Sequence, residues 1–421
     1  MRSEGVMGRW ASAAGSRECL ASVSAPLETT RPGLVSPVER SLRGFGRAVR
    51  RVRTMLQSDL VRKTMLVALL AMACSKQAPT TPESLSAAAA VAIPEKDAYE
   101  RNMRQFATAV CQKELMNNGA SLDEKLAATY YDGQRVMLQI SDYLGDNAFK
   151  TCASAARNTY RDAYVMRSDV MGGVPGYWVF PTGLFLDFKA TGDPKSKDAV
   201  VAMSRRGAYC AVSGADSSPR TALSREIAYC GLTYIQSEQM GEPKSPRRDE
   251  LFNYMFGHLR AWIDVSALSR APNPFDESPR CAGKYYTQPF MVGLTLHSLI
   301  QLHSYTSDPR VPAAVKEAVD WLWEKHWVAG DQSFVYENCV DAPGGAYPKR
   351  PGAPDLNLLI APAFAWVYKQ TGEDKYRERG DAIFAGGVQR AWLDGAKQFN
   401  QNYMWSPDYI RWRGGAPSAG H

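Results

Sequence analysis

The sequence predicts an all-α fold made of repeated helical hairpins, because one kind of turn recurs along the chain. At each turn an apolar helical segment ends at a Gly or Ser, and an Asp or Glu follows. Glycine can end a helix in the left-handed conformation, and an acidic residue suits the start of the next helix. The five turns lie at residues 143–146, 190–193, 239–242, 305–308 and 370–373.

Each turn joins a nearly wholly apolar segment to an amphipathic one. Residues 356–368 are almost all apolar, which indicates burial on most sides, whereas residues 374–390 alternate charged and apolar residues at helical spacing. A lone hairpin cannot bury its apolar face, so we predict that the hairpins pack side by side. The same order recurs at 130–144 with 147–166, 178–190 with 195–212, 220–238 with 247–264, and 285–304 with 310–328, and segments 95–116 and 397–413 remain for a sixth pair.

The N-terminal region has the features of an export signal. Residues 65–73 are apolar, follow Arg62 and Lys63, and directly precede Cys74. This run is shorter than the roughly 20 residues that span a bilayer, and it matches the apolar part of a secretory signal. Small residues before a Cys resemble the bacterial lipoprotein signal, in which Cys74 would be lipidated, although Ala71 stands where that signal prefers Leu. The alternative is a plain secretory signal.

These features divide the chain into four parts. Residues 1–54 are an Arg-rich stretch without helical or strand period, and we interpret them as an upstream extension or a disordered leader before a start at Met55 or Met65. Residues 55–73 are the predicted signal peptide, 74–93 a flexible Ser-, Thr-, Ala- and Pro-rich tether, and 94–421 one folded domain. Ser75 favours the outer membrane of a Gram-negative cell, with the periplasm as the alternative.

The net charge of +7 belongs to the leader and signal. Residues 1–73 contain 12 basic and 5 acidic residues, so the remainder has a formal charge of zero. A neutral mature chain gives no support for nucleic-acid binding.

Cysteine usage fits an exported protein with disulfides. Six cysteines follow Cys74, and an even count in an exported chain favours pairing, although fifteen pairings are possible. Pairing of neighbours is the simplest arrangement. It joins Cys111 to Cys152, Cys210 to Cys230, and Cys281 to Cys339. No Cys-x-x-Cys or His-x-x-x-His spacing occurs, so we expect neither a metal nor another cofactor.

The pattern of hairpins and Thr-Gly-Asp turns resembles the six-hairpin (α/α) toroids of bacterial carbohydrate-active enzymes. The resemblance covers about residues 95–413 and lies in the architecture, not in a catalytic signature. It implies a toroid of about five to six hairpins, a central cleft ringed by inner helices, a carbohydrate partner and a monomer. Terpene cyclases share this architecture, but the sequence lacks an Asp-rich magnesium motif.

The long connections indicate which end of the toroid holds a site. Tight turns join inner to outer helices, so the longer connections 167–177, 265–284 and 329–355 must lie at the opposite end, where functional loops are common. They bring aromatic and polar residues to the starts of the inner helices. These include Tyr130 to Asp132, Tyr177 and Trp178, Lys284 to Tyr286, Tyr336 to Asn338, Asp355 and Asn357.

A glycoside hydrolase needs two carboxyl groups flanking the scissile bond. Our preferred pair is Asp132 with Asp355, since both stand at starts of inner helices in distant hairpins. Glu337 is the alternative acid, and Glu226 is a further candidate. We expect Tyr131, Trp178 and Tyr286 to form the sugar platform.

A polysaccharide lyase is the alternative enzyme, with Tyr285 or Tyr286 as the base beside Lys284, and Asn357 or Arg220 to neutralise a uronate carboxylate. A surface lipoprotein that only binds glycans is the third possibility. Each residue also has a structural interpretation: Asp355 as a helix N-cap, Glu226 paired with Arg225 or Arg220, His297 in the core, and the aromatic residues as packing.

Overall fold

The computed structural model describes residues 91–211, 221–263, 281, 284–341 and 345–414. The predictions for the leader, the signal peptide, Cys74 and most of the tether therefore lie outside the described residues, as does Arg220. Within the described ranges, no helix combines the length and apolar character that a membrane span requires.

The described domain is helical almost throughout. In chain order its α-helices are α1 (Lys96–Val110), α2 (Leu122–Ala127), α3 (Gly133–Leu144), α4 (Ala148–Arg157), α5 (Thr182–Thr191), α6 (Pro194–Arg206), α7 (Ser224–Gln239), α8 (Pro246–Ile263), α9 (Pro289–Thr306), α10 (Arg310–His326), α11 (Asn357–Thr371), α12 (Asp374–Arg390), α13 (Ala396–Tyr403) and α14 (Ser406–Arg413).

Six of these helices form a closed inner ring. Helices α3, α5, α7, α9, α11 and α13 each contact the next, and α13 contacts α3. Helices α4, α6, α8, α10 and α12 each pack outside the inner helix that precedes them, and α1 packs against α13. The predicted all-α toroid is confirmed by these contacts, with the predicted sixth pair in place.

Burial explains the two kinds of helix. In α9 every residue from Pro289 to Ile300 is buried, and in α11 every residue from Asn357 to Val367 is buried. The outer helix α12 buries one face, which includes Tyr376, Gly380 and Phe384. Inner helices such as α9 and α11 have neighbours on all sides and are buried all round, whereas an outer helix keeps a wet face.

The tight turns end the inner helices as predicted. Gly145, Gly192, Gly372 and Ser307 are C-caps in the left-handed conformation, with φ values of 65°, 73°, 71° and 56°. All inner helices therefore begin at the opposite end of the ring, which we call the mouth end.

The connections at the mouth end contain the non-α-helical elements. Strand β1 (Tyr285–Thr287) pairs antiparallel with β4 (Asn338–Val340), and β2 (Trp327–Val328) pairs with β3 (Ser333–Phe334). Two π-helices, π1 (Cys111–Leu115) and π2 (Asn158–Val165), extend α1 and α4, and a 3₁₀ turn, Gly176–Trp178, precedes α5.

All three predicted disulfides are present. They join Cys111 to Cys152, Cys210 to Cys230, and Cys281 to Cys339. The last of them lies beside the β1–β4 ladder, because Cys339 pairs with Tyr286 in that ladder. It also joins two of the long loops, those that contain Cys281 and Cys339.

Candidate functional site

Asp132 stands between the first turns of two inner helices. Its carboxylate accepts the backbone N–H of Arg135 at 3.2 Å and that of Gly183 at 3.0 Å. Asp132 and Tyr131 both have left-handed backbones, with φ values of 56° and 60°. Two successive non-glycine residues in this conformation are uncommon and occur mainly where the surroundings enforce them. The start of α3 is therefore held in one shape by α5.

The environment of Asp132 suits a proton donor. Burial raises the pKa of its carboxyl to about 6, although the charge of Arg135 and the backbone N–H of Gly183 act in the opposite direction. A carboxyl group with a pKa near 6 remains partly protonated close to neutral pH, as a general acid requires.

A second carboxylate lies in the first turn of α7. Glu226 is 5% exposed, and its Oε1 atom accepts a hydrogen bond of 2.6 Å from Arg225 Nη2. The ion pair predicted between these residues is thereby confirmed. The Oε2 atom of Glu226 has no hydrogen-bond partner among the described residues.

Two glycines hold both carboxylates against one segment. A Cβ atom added at Gly176 would lie 2.7 Å from Cγ of Glu226, and one added at Gly183 would lie 2.5 Å from Oδ1 of Asp132. Neither position has space for a side chain, so Asp132 and Glu226 pack directly on the backbone of residues 176–183. This segment also contains Trp178.

Aromatic rings and one guanidinium surround this segment. The Tyr130 ring makes edge contacts with Tyr131 and Trp178, at centroid distances of 4.8 and 4.9 Å. Against the larger effect of burial, the positive charge of Arg225 lowers the pKa of Tyr131 and of Tyr229. We call Tyr130, Tyr131, Trp178, Arg225 and Tyr229 the mouth cluster.

The π-helix π2 supports the mouth cluster from outside the ring. The Tyr160 hydroxyl donates to the carbonyl of Trp178 and accepts the N–H of Phe180 at 2.9 Å. The Tyr164 ring lies 5.9 Å from Trp178. A π-helix shifts the residues after it around the helix axis, and such segments are frequent at functional sites. No pattern in the sequence indicated π2.

Asp355 and Asn357 are engaged elsewhere. Asp355 Oδ1 accepts the N–H of Trp392 at 2.6 Å, in the connection that leads to α13. The contacts of Asp132 and Asp355 therefore run to different elements and do not pair the two. Asn357 is fully buried, donates to the carbonyls of Gln332 and Ile383, and accepts the N–H of Phe334. These bonds give Asn357 a structural role, and its part in substrate binding stays a prediction.

The residues around β1 also have structural contacts. The buried Tyr286 ring packs edge-on against Trp262 at 5.7 Å. Lys284 forms an ion pair of 2.9 Å with Asp341, and Tyr285 pairs with Val340 in the ladder. The predicted grouping of Tyr286 with Tyr131 and Trp178 stays a prediction. Glu337 is buried immediately before β4.

The ring axis below the mouth cluster is polar and buried. Arg135 Nη2 lies 3.8 Å from Asp408 Oδ2, and the His297 ring lies 4.4 Å from that of Trp405. Burial lowers the pKa of His297 well below its usual value, so this imidazole is neutral, and its predicted place in the core is confirmed. Helix periodicity alone could not place Arg135 or Asp408 inside the ring.

Within the described ranges, no group of three or more His, Cys, Asp and Glu side chains is arranged to hold a metal ion.

Comparisons with known proteins give similarities among solved structures alone. No family model matches the chain, and no curated protein matches it. Among solved structures, the chain is similar to the unsaturated glucuronyl hydrolase of Bacillus sp. GL1, a protein described as responsible for the degradation of glycosaminoglycan. The similarity has 11% identity and a TM-score of 0.48, and covers 74% of this chain and 96% of that one. The contacts between the helices of this chain establish its toroid architecture.

Proposed function

We propose that this protein is a carbohydrate-active enzyme, a glycoside hydrolase acting on a poly- or oligosaccharide at the mouth of the toroid. The observation that carries the proposal is the packing of two carboxyl groups, Asp132 and Glu226, against one segment that also holds Trp178. Hydrolysis of a glycosidic bond needs two carboxyl groups, and the mouth cluster supplies aromatic faces and polar groups for a sugar.

We assign the roles of acid and of base or nucleophile from the surroundings of Asp132 and Glu226. Asp132, whose pKa burial raises to about 6, donates its proton to the glycosidic oxygen as the bond to the anomeric carbon breaks. Glu226, in its ion pair with Arg225, accepts a proton from the attacking water or attacks the anomeric carbon itself. Glu226 thus takes the place that we first gave to Asp355, and Glu337 remains the alternative acid.

The test compares three variants on a panel of polysaccharides with a reducing-sugar assay. We expect Asp132→Asn and Glu226→Gln to lose at least about a hundredfold in kcat/KM. Asp355→Asn is the matched control, because the asparagine Oδ1 atom can still accept the N–H of Trp392, and it should keep most of the activity. Circular dichroism verifies that each variant folds. Full activity in both Asp132→Asn and Glu226→Gln would overturn the assignment.

A second candidate, a polysaccharide lyase, is favoured by one electrostatic relationship: the positive charge of Arg225 acts on the Tyr131 hydroxyl. Elimination needs a base and a cation that neutralises a uronate carboxylate, and these two residues supply both types. Burial raises the pKa of Tyr131, which weakens it as a base and is the reason we prefer hydrolysis. Ultraviolet absorbance of unsaturated product ends, lost in Tyr131→Phe, would instead establish the lyase.

We further propose that the protein is exported and anchored to a membrane through a lipid on Cys74. The support is the sequence pattern alone: the apolar run 65–73 directly before this cysteine. The three disulfides fit an oxidising compartment.

A further inference from the structure

We propose that Tyr177, Tyr336 and Trp392 form an aromatic rim that binds sugar residues of a polymer beyond the mouth cluster. The preferred substrate is then a polysaccharide chain rather than a free mono- or disaccharide. This inference rests on the proposed function of the mouth cluster, and it adds the substrate length and three further binding residues.

The first observation is exposure. The side chains of Tyr177, Tyr336 and Trp392 are 43%, 47% and 53% exposed. Most aromatic side chains of the domain are buried, so large rings left in water at one end of a rigid ring need an explanation. All three lie at the mouth end, in three different connections.

The second observation is continuity with the mouth cluster. The Arg225 guanidinium lies 5.7 Å from the centre of the Tyr177 ring. Tyr336 packs at 5.3 Å against Phe290 at the start of α9, the inner helix next to α7. Tyr177 therefore extends the aromatic surface of the cluster, and Tyr336 lies beside the start of the neighbouring inner helix.

Trp392 directly precedes the inner helix of the sixth hairpin, and that helix contacts the mouth cluster. Its connection leads into α13, where the Lys397 ammonium lies 5.8 Å from the centre of the Tyr130 ring. In the same helix, Asn400 Nδ2 donates to the Tyr130 carbonyl at 2.8 Å. Closure of the ring thus brings α13, the helix that follows Trp392, against the first hairpin, although the two are far apart in sequence.

The spacing of the rim indicates a chain-like ligand. Tyr177 precedes α5 and Trp392 precedes α13, and α3 lies between these two helices in the ring. At the usual 8–10 Å between packed helices, their starts are on the order of 15 Å apart. One sugar ring cannot contact both residues, whereas a polysaccharide lying across the mouth can stack one sugar on each.

The experiment measures polymer binding without requiring catalysis. The full chain and its variants run in native gels that contain soluble xylan, pectate, alginate, hyaluronan or dextran, and the retardation gives a dissociation constant. Trp392→Ala and Tyr336→Ala should each weaken binding of the retarding polymer at least about fivefold, as expected for loss of an aromatic contact in a binding surface. Tyr305→Ala is the matched control, since Tyr305 is 40% exposed at the opposite end of the ring.

A second measurement separates this inference from the proposed function. On the polymer that the enzyme degrades, Trp392→Ala should raise KM with little change in kcat, while KM for a disaccharide of the same glycan stays unchanged. If the wild type binds and degrades a polymer but the rim variants behave like Tyr305→Ala, the proposal that the rim binds the polymer is wrong and the proposed function stands. If the wild type binds none of the panel and degrades none, both fail.

Discussion

Gly176 packs so closely on Glu226 that a Cβ atom at this position would lie 2.7 Å from Cγ of the glutamate. The backbone before α5 thereby fixes the side chain of a buried carboxylate in another hairpin. Gly183 stands in the same relation to Asp132. Two glycines seven residues apart therefore set the position of both proposed catalytic groups.

We expect Gly176→Ala and Gly183→Ala to reduce kcat strongly, because the added methyl group must displace Glu226 or Asp132. Misplacement of a reacting group by about 1 Å can cost roughly a hundredfold in rate. Gly257→Ala is the control, since a Cβ atom there meets nothing within 4 Å on the outer helix α8. It should leave activity unchanged and stabilise the fold by about 0.5–1 kcal/mol. Steady-state kinetics and thermal unfolding measure the two effects.

Asp132 should make stability depend on pH in a defined direction. Its pKa is about 6 in the folded protein and about 3.9 in an unfolded chain, so the folded state binds more protons between these values. The free energy of unfolding therefore falls as pH rises from about 4 to 6, by about 2–3 kcal/mol from this group. Asp132→Asn should lack this part of the slope. Urea unfolding at several pH values measures the difference, and identical slopes would contradict the assigned pKa.

The same carboxyl group predicts the pH dependence of activity. If Asp132 donates the proton, kcat/KM should fall about tenfold per pH unit above about 6. A plateau that extends well above pH 7 would exclude Asp132 as the acid and would favour Glu337.

Removing one partner of the Arg225–Glu226 ion pair should lower the free energy of unfolding more than replacing both partners by uncharged residues. Arg225→Met leaves the buried carboxylate without its partner and should destabilise the protein by about 3 kcal/mol. This value is at the lower end of the usual range for buried pairs, because the Arg225 side chain is 21% exposed. Arg225→Met with Glu226→Gln should regain more than half of that stability without regaining activity. A double variant no more stable than the single one would argue against the pair.

The three disulfides should differ in their contribution to stability. Cys281 and Cys339 are 58 residues apart in sequence, whereas Cys210 and Cys230 are 20 apart. Chain entropy then gives about 4 kcal/mol for the first and about 3 kcal/mol for the second. Paired Cys→Ala variants and chemical unfolding measure this order. Mass mapping should find no free thiol among these cysteines in the oxidised protein, and free thiols there would contradict the prediction.

Lipidation of Cys74 predicts a membrane-associated product when expression starts at Met55 or Met65. Cys74→Ala should release the protein or block its maturation, because the modified cysteine would no longer exist. Metabolic labelling with a palmitate analogue reports the modification directly. An unlabelled wild type would leave a soluble periplasmic protein as the replacement.

The fold was predictable because its determinants are local. Gly192 ends one helix and Asp193 caps the next through its bond to the Lys195 N–H, and both features follow from residue type and position. The order of apolar and amphipathic helices in turn follows from which helices have neighbours on all sides. Neither inference needs long-range information.

The site was only partly predictable, because it depends on contacts between hairpins. Asp132 and Glu226 looked no different in sequence from Asp355, which lies equally close to an inner helix start. What separates them is packing against residues 176–183, and no local pattern encodes that contact. The ladder that turns Tyr286 toward Trp262 is likewise set by a pairing across more than fifty residues.

The contact of α13 with both α1 and α3 has a consequence for synthesis. Closure bonds such as Glu114 with the N–H of Ala396 span 282 residues, so they form only after nearly the whole domain has been made. Until then, the apolar side of α3 that α13 covers is exposed to other chains. Closure between such distant segments is slow, because the chain must first lose the conformational entropy of the long intervening loop. A domain that closes in this way therefore keeps apolar surface exposed until its last helix has been made.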